Sequence, residues 1–369
     1  MSIINAPLNN RKSQGITTIR FILACYVVMV HMVPWYDLIF ANIPHIVTKG
    51  VSLVIKFFQP ASETNPAVLA FITLSGYCIH RNGLRIDKFD LGFYSKRRFF
   101  RIFPIFLFGS VIGACVFLIC DSPDIRLITG TEHVTIFDLL TKLTGLGVFY
   151  PKLHAPSFLG NAALTTVAVE IWLYAFYPLG LVLFDRWGSK KFLALLFTLP
   201  LVGALMTTLH PNSAGWWHNG SFFGFLTFWW IGVFILDDRF WGVLKKYSLG
   251  ALLCYLGLTF MLIFMHPIPL VTEFRKILFC LLFGYLLKTI DVESVKKTVT
   301  RLPKFFLGDI LESSYSLYAI HVPILVLSIG YGINPIYAFV LCISIGYITY
   351  KIVEKPMSDV PVKRYLVTS

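Results

Sequence analysis

Apolar residues in this chain recur in runs of about twenty, separated by polar stretches dense in Pro, Gly, Asn and Asp. A helix of that length, rising ~1.5 Å per residue, crosses the ~30 Å hydrocarbon core of a bilayer. Ten windows fit, at residues 16–36, 66–80, 102–120, 160–183, 192–209, 220–236, 248–265, 273–290, 309–329 and 334–352. The second is short, as a broken helix or one running into its polar flank would be. Breakers such as Asp121-Ser122-Pro123-Asp124 and His210-Pro211-Asn212-Ser213 separate the windows, and the two longest hydrophilic loops are expected near 37–65 and 121–159. No repeat or low-complexity tract interrupts the pattern. It predicts an all-α, polytopic membrane helical bundle of about ten transmembrane helices.

Composition excludes a soluble fold. Of 369 residues 56% are apolar and only 14% charged, whereas about a quarter of a soluble domain is charged. The net charge of +13 therefore reports orientation and contact with anionic membrane lipids, and nucleic acid is not an expected partner. With the N-terminus inside, all but seven of the 32 Lys and Arg fall on inner segments. The seven are Lys49, Lys56, Arg126, Lys142, Lys152, Arg275 and Lys276. This separation predicts cytoplasmic N- and C-termini. Arg11 and Lys12 before the first run resemble a signal peptide, but His31-Met32-Val33-Pro34-Trp35 offers no small-x-small cleavage site, so the run is read as a retained span. The layout is a cytoplasmic segment 1–15, a membrane domain 16–356 and a cytoplasmic tail 357–369. The seven cysteines lie in apolar stretches with no C-x-x-C pair, as small buried hydrophobes do. His210 and His218 share a loop without a third ligand, so no metal is assigned.

Ionisable groups inside apolar spans cost ~2.5–3.5 kcal/mol at a helix centre on insertion scales, which makes them functional candidates. Glu170 lies in the middle of the fourth window, with Thr166, Tyr174 and Tyr177 on its face. Arg20 and His31 in the first window are eleven residues apart, which on a helix gives nearly the same direction at ~16 Å separation. A cation at the membrane edge suits an anionic donor, and a deeper imidazole suits proton exchange with an acceptor. Ser314, Tyr318 and His321 form another one-face stripe, with His321 near mid-span. Tyr94 to Pro104, read as an inner loop, concentrates Lys96, Arg97, Arg98 and Arg101, a site for lipid headgroups or a phosphate-bearing cofactor. Leu74-Ser75-Gly76-Tyr77 places two small residues in a span, as close helix packing requires. Each stripe also has a structural reading: interhelical hydrogen bonds for Glu170, Tyr318 and His321, and a snorkelling Arg20 beside a packing His31.

In order along the chain, Arg20-x10-His31, Leu74 to Tyr77, Arg97-Arg98-x2-Arg101-Ile102-x-Pro104, Glu170 to Pro178, Ser314-Tyr315-Ser316-Leu317-Tyr318-x2-His321 and Glu354-Lys355-Pro356 resemble the acyltransferase-3 family of integral membrane acyltransferases. The resemblance covers about Gly15 to Pro356. It implies an O-acyltransferase, of the stand-alone kind that O-acetylates O-antigen or exopolysaccharide, in a bacterial inner membrane. The co-substrate it implies is acetyl-CoA or another acyl-CoA from the cytoplasm. The implied acceptor is a hydroxyl of a surface polysaccharide, lipid-linked sugar or oligosaccharide. It ties His31 and Arg20 to catalysis, and Arg98 and Arg101 to the cofactor phosphates. Arg97 is grouped with those two, and Ser75 and Tyr77 are taken as donor-side residues. Glu170 is expected to orient His31, and Tyr174, Tyr318 and His321 to face the acceptor. Three positions before Arg20, where the family often carries an acid, this chain has Thr17. The rival reading is a glycolipid or polysaccharide transporter (flippase) with Glu170 and His321 along its pathway, although no matched pair of broken spans is visible. A non-catalytic assembly partner would leave the buried ionisable groups without a purpose.

Overall fold

The computed structural model describes residues 10–40, 45–60, 64–83, 90–120, 136–149, 161–209, 221–265, 268–293 and 306–359. Among these the chain is helical, with no strand. In chain order the helices are α1 (Asn10–Phe40), α2 (His45–Phe58), α3 (Pro66–Gly83), α4 (Leu91–Ile119), α5 (Ile136–Leu143), α6 (Leu164–Leu209), α7 (Phe222–Phe234) and α8 (Asp238–Phe264). They continue with α9 (Pro269–Glu293), α10 (Phe306–Glu312), α11 (Ser314–Gly330) and α12 (Pro335–Thr349), which runs into a π turn over Tyr350–Glu354.

The ten apolar windows all fall on helices, and five helical stretches are long and apolar enough to cross a membrane: Gly15–Trp35, Leu91–Ile119, Leu164–Leu209, Asp238–Phe264 and Pro335–Asp359. The fourth and fifth windows share α6, which bends at Gly188. Its φ of 75° and ψ of 159° lie in a region open essentially to glycine alone. Exposed apolar side chains such as Leu118, Phe264 and Ile336 stud the outer faces, the arrangement expected where lipid rather than water is the solvent.

Three features differ from the sequence reading. The stretch Tyr94 to Pro104 is helix, not loop. Asp90 caps α4 by accepting from the Phe93 amide at 3.0 Å, and Lys and Arg are good helix formers, so the helix starts well before its apolar part. The loops expected near 37–65 and 121–159 contain α2 and α5, which are short and amphipathic and so escape a ~20-residue hydropathy window. Glu354, at a span end by sequence, is a buried acid. The N-terminal segment through residue 9, the tail from 360, residues 41–44, 61–63, 121–135 and 150–160, and His210 and His218 lie outside the described residues.

The chain divides into two compact units. One comprises Met1–Ile19, Leu53–Phe89 and Phe176–Leu307, and its centre is α3 against α7. Only glycine permits that approach. A Cβ at Gly76 would strike the Trp229 carbonyl, and one at Gly232 the Thr73 carbonyl and the Tyr77 amide. Gly284 in α9 makes room for Ile235 in the same way. Where no hydrophobic effect operates between helices, the dispersion attraction of backbones packed closely along small-residue seams drives their association. The indoles of Trp229 and Trp230 and the rings of Tyr177, Phe192 and Phe234 fill the space around them.

The second unit comprises Arg20–Ser52, Asp90–Ala175 and Gly308–Ser369. Its centre is α11, buried along nearly its whole length between α4 and α12. Asn161 ties the unit together by donating from Nδ2 to the carbonyls of Gly109 in α4 (3.2 Å) and Ala319 in α11 (2.7 Å). Gly346 of α12 brings that helix against the Leu317 backbone.

Gly76→Ala and Gly232→Ala are each expected to cost ~1–3 kcal/mol or more through overpacking, seen as a lower melting temperature in detergent. Gly257→Ala in α8, where nothing lies within 4 Å of the added carbon, should be neutral or stabilising by up to ~1 kcal/mol. Equal shifts in all three would contradict the tight α3–α7 seam.

Candidate functional site

Two imidazoles meet in the second unit. His31 of α1 and His321 of α11 lie with Nδ1 of the first 2.8 Å from Nε2 of the second. Their planes differ by 9° and their centroids are 5.1 Å apart. That separation equals a hydrogen bond plus two ring radii, so the rings lie edge to edge in almost one plane, as a direct N–H···N bond requires. His31 also stacks on Trp35 one turn along α1, with centroids 5.5 Å apart and planes within 6°. His321 has no solvent exposure, and its Nδ1 lies 2.7 Å from the Tyr318 carbonyl oxygen.

This geometry fixes the protons. A carbonyl oxygen only accepts, so His321 donates to it from Nδ1–H. In a neutral imidazole the other nitrogen then carries a lone pair, so His321 Nε2 accepts and His31 Nδ1–H donates. The remaining nitrogen of neutral His31, Nε2, is left with a lone pair and no hydrogen bond among the described residues. An imidazole held in one tautomer with a bare Nε2 has the lone pair that a general base needs.

A column of polar side chains runs along α6 and α11 in the same unit. The Tyr318 hydroxyl hydrogen-bonds Thr166. Glu170 lies within electrostatic range of Tyr318 and of Tyr315. The Tyr174 hydroxyl donates to the Glu170 carboxylate. One turn further, Arg98 lies over the ring of Tyr174 at 5.6 Å and that of Tyr94 at 5.8 Å, and the Tyr94 hydroxyl donates to the Tyr174 carbonyl at 3.0 Å. Arg97 and Arg101 are close enough to Arg98 for their like charges to repel. Three guanidiniums close together at one end of α4 could hold an anion with several charged oxygens.

The π turn that ends α12 swings Glu354 into this region. Its carboxylate accepts from the Ser316 amide at 3.2 Å and from the Ser316 hydroxyl at 2.6 Å. Arg101 and Arg20 lie within electrostatic range of it. Glu354 thereby offsets part of the positive charge and joins α11 to both arginine-bearing helices. Lys351 and Lys355 pair with Asp309, and the Tyr350 hydroxyl donates to Glu312, which fixes the turn against α10.

Comparison with known proteins bears on this arrangement. The pattern of one protein family, described as an acyltransferase domain, matches residues 13–350. The match runs from the first turn of α1 to the end of α12 and takes in the polar groups of the column on α4, α6 and α11. The chain belongs to the acyltransferase-3 family. It is an integral membrane acyltransferase. No curated protein and no solved structure matches it.

Within this acyltransferase the residues singled out by sequence are distributed unevenly. His31, His321, Tyr318, Glu170, Tyr174, Arg20, Arg97, Arg98 and Arg101 all belong to the second unit. The hydrogen-bonding partner of His31 is His321 rather than Glu170, which instead accepts from Tyr174. Ser75 and Tyr77 belong to the first unit. The Ser75 hydroxyl faces the Trp229 indole N–H at 3.3 Å, Tyr77 is buried, and Arg81 lies over its ring. These are contacts of helix packing. Tyr177, on the face of Glu170 by periodicity, pairs with His80 at 2.8 Å in the first unit.

Sequence reasoning missed the weight of Glu354, Tyr315, Tyr94 and Trp35. For Glu354 the available signal was an acid directly after an apolar run. What hid its burial is the π turn, which shifts the register that α-helical periodicity assumes.

Removing Glu354 leaves the Ser316 hydroxyl and amide without their acceptor, and removing Ser316 strips the carboxylate. A double-mutant cycle of Ser316→Ala and Glu354→Ala, read by thermal unfolding in detergent, should show a coupling of ~1–3 kcal/mol. Strict additivity would mean that the two do not act together.

Proposed function

We propose that this membrane acyltransferase moves an acyl group, acetyl in the simplest case, from a cytoplasmic acyl-CoA to a hydroxyl of a surface polysaccharide or lipid-linked sugar. The observation that carries the proposal is the chain of bonds from the Tyr318 carbonyl through His321 to His31, which leaves His31 Nε2 as a positioned base. A transporter has no need of that device, whereas O-acyl transfer does.

In the proposed reaction the acceptor hydroxyl oxygen attacks the thioester carbonyl carbon while its proton passes to His31 Nε2. The new C–O bond forms and the C–S bond breaks. The departing CoA thiolate takes the proton back from the imidazolium. While His31 is protonated, its Nδ1–H still donates to His321, so the ring keeps its orientation through the cycle. Complete burial of His321 keeps bulk water, which would otherwise compete as the acceptor, from that side of the pair.

At the other end of the column, Arg97, Arg98 and Arg101 would hold the phosphates of the donor, with Arg20 and Glu354 setting the local charge balance. The paired tyrosine rings keep the Arg98 guanidinium in place by cation–π contact. Tyr174 and Glu170 then line the way between the phosphate end and the imidazoles. The charge asymmetry of the sequence supports a cytoplasmic position for the arginine end, the side on which acyl-CoA is made, in the inner membrane of a bacterium. Holding donor and acceptor together supplies proximity and orientation, which account for much of the rate in transfers of this kind.

The test is turnover of labelled acetyl-CoA by purified protein in the presence of candidate glycans. His31→Ala should lower kcat by at least ~10²-fold with protein level and membrane insertion unchanged. His321→Gln, whose amide oxygen can still accept from His31, should retain more activity than His321→Leu. Full turnover in His31→Ala, or equal activity in the two His321 variants, would remove the imidazole pair from the mechanism.

A further inference from the structure

Tyr315 takes no part in the bonds described above. Its hydroxyl is buried yet has no hydrogen-bond partner among the described residues. Buried hydroxyls are almost always paired, and an unpaired one in a native site marks a place where something else supplies the partner. Two carboxylates lie within electrostatic range of it, yet neither takes its proton. The Glu170 carboxylate already accepts from Tyr174, and the Glu354 carboxylate from Ser316. Arg101, the other charged group near Tyr315, is a donor only. Among the described residues the hydroxyl proton has no acceptor, and a bound ligand can supply one.

Its position narrows the choice. Tyr315 precedes His321 by six residues on α11, a rise of ~9 Å along the helix. It lies within electrostatic range of Arg101 at one end of the column and of Glu170 and Tyr174 along it. Along α11 the residue thus lies on the side of His321 toward the cationic end. An acyl-CoA laid along that path has its phosphates at the arginines and its thioester at His31, with the pantetheine arm between them. The arm carries two amides. The carbonyl carbon of the inner one is five bonds from the thioester carbon. That of the outer one is nine bonds away, an extended reach of about three peptide units or ~10 Å. The outer amide matches the rise from His321 to Tyr315.

We infer that the Tyr315 hydroxyl donates to the outer amide carbonyl of the pantetheine arm, so that this residue reads the donor's arm and sets the depth at which the thioester stops. The inference rests on the acyl-CoA reading and makes Tyr315 a donor-binding residue that the family resemblance does not assign.

The experiment compares wild type and Tyr315→Phe on three donors: acetyl-CoA, S-acetylpantetheine and S-acetyl-N-acetylcysteamine. The last ends after the inner amide. Tyr315→Phe should lose about tenfold in kcat/KM on the first two donors, mostly through KM, and nothing on the third. The same loss on all three would place the hydroxyl at the thioester or in the packing and overturn the inference. No loss on any would overturn it as well. Because the hydroxyl has no partner to lose, the variant without ligand should melt at or above the wild-type temperature, and a clear fall would reveal a structural role instead. Wild type that turns over none of the three donors would bring down the acyl-CoA reading, and this inference with it. An active wild type with a uniform mutant ratio would bring down the inference alone.

Discussion

A backbone carbonyl can accept a hydrogen bond and can never donate one, and the site depends on that asymmetry. At Tyr318 it obliges His321 to carry its proton on Nδ1, which obliges His31 to carry its own on Nδ1 and leaves Nε2 of His31 as a lone pair. The fold keeps water out of the chain by burying His321 completely at the centre of α11. With water present, either imidazole would find other partners and both tautomers would be populated. A general base needs to be only weakly basic but correctly oriented, and two hydrogen bonds achieve the orientation without placing a carboxylate beside the ring.

That requirement explains the architecture of the second unit. α11 is surrounded because its polar atoms must be matched one by one in a medium that supplies no alternatives. Asn161 holds α4 to α11 through two carbonyls, Gly346 admits α12, and Glu354 reaches back from the π turn to the Ser316 amide and hydroxyl. A π turn costs good helical geometry, and it persists here because the extra residue directs a carboxylate inward. The first unit solves a simpler packing problem with glycine seams and tryptophan rings, and carries Ser75 and Tyr77 within them.

Much of the fold was legible in the sequence because lipid imposes one dominant rule, that long apolar runs become helices. All ten windows lie on helix, and family membership was visible in six ordered motifs, of which the first five fall within the match over residues 13–350. Helix starts were less legible. Hydropathy registers lipid contact, whereas α4 begins with a polar cap and a basic turn, and α2 and α5 are too short and amphipathic to stand out. At the site, periodicity aligned Tyr318 with His321 and Glu170 with Tyr174, since contacts one turn apart follow from helical geometry alone. It gave no means of pairing His31 with His321, 290 positions apart, and the expectation that Glu170 orients His31 depended on a helix packing that periodicity does not reveal. Tyr315 was invisible for a different reason. An unpaired hydroxyl is a property of its surroundings and leaves no pattern in the chain.

The most direct measurement is nitrogen-15 NMR of the histidine side chains in nanodiscs, with His31 and His321 among the nine histidines assigned by single His→Gln substitutions. Near neutral pH the account predicts that both rings are neutral and protonated on Nδ1, with a scalar coupling across the bond between them. A His31 ring protonated on Nε2, or one exchanging freely between tautomers, would contradict it.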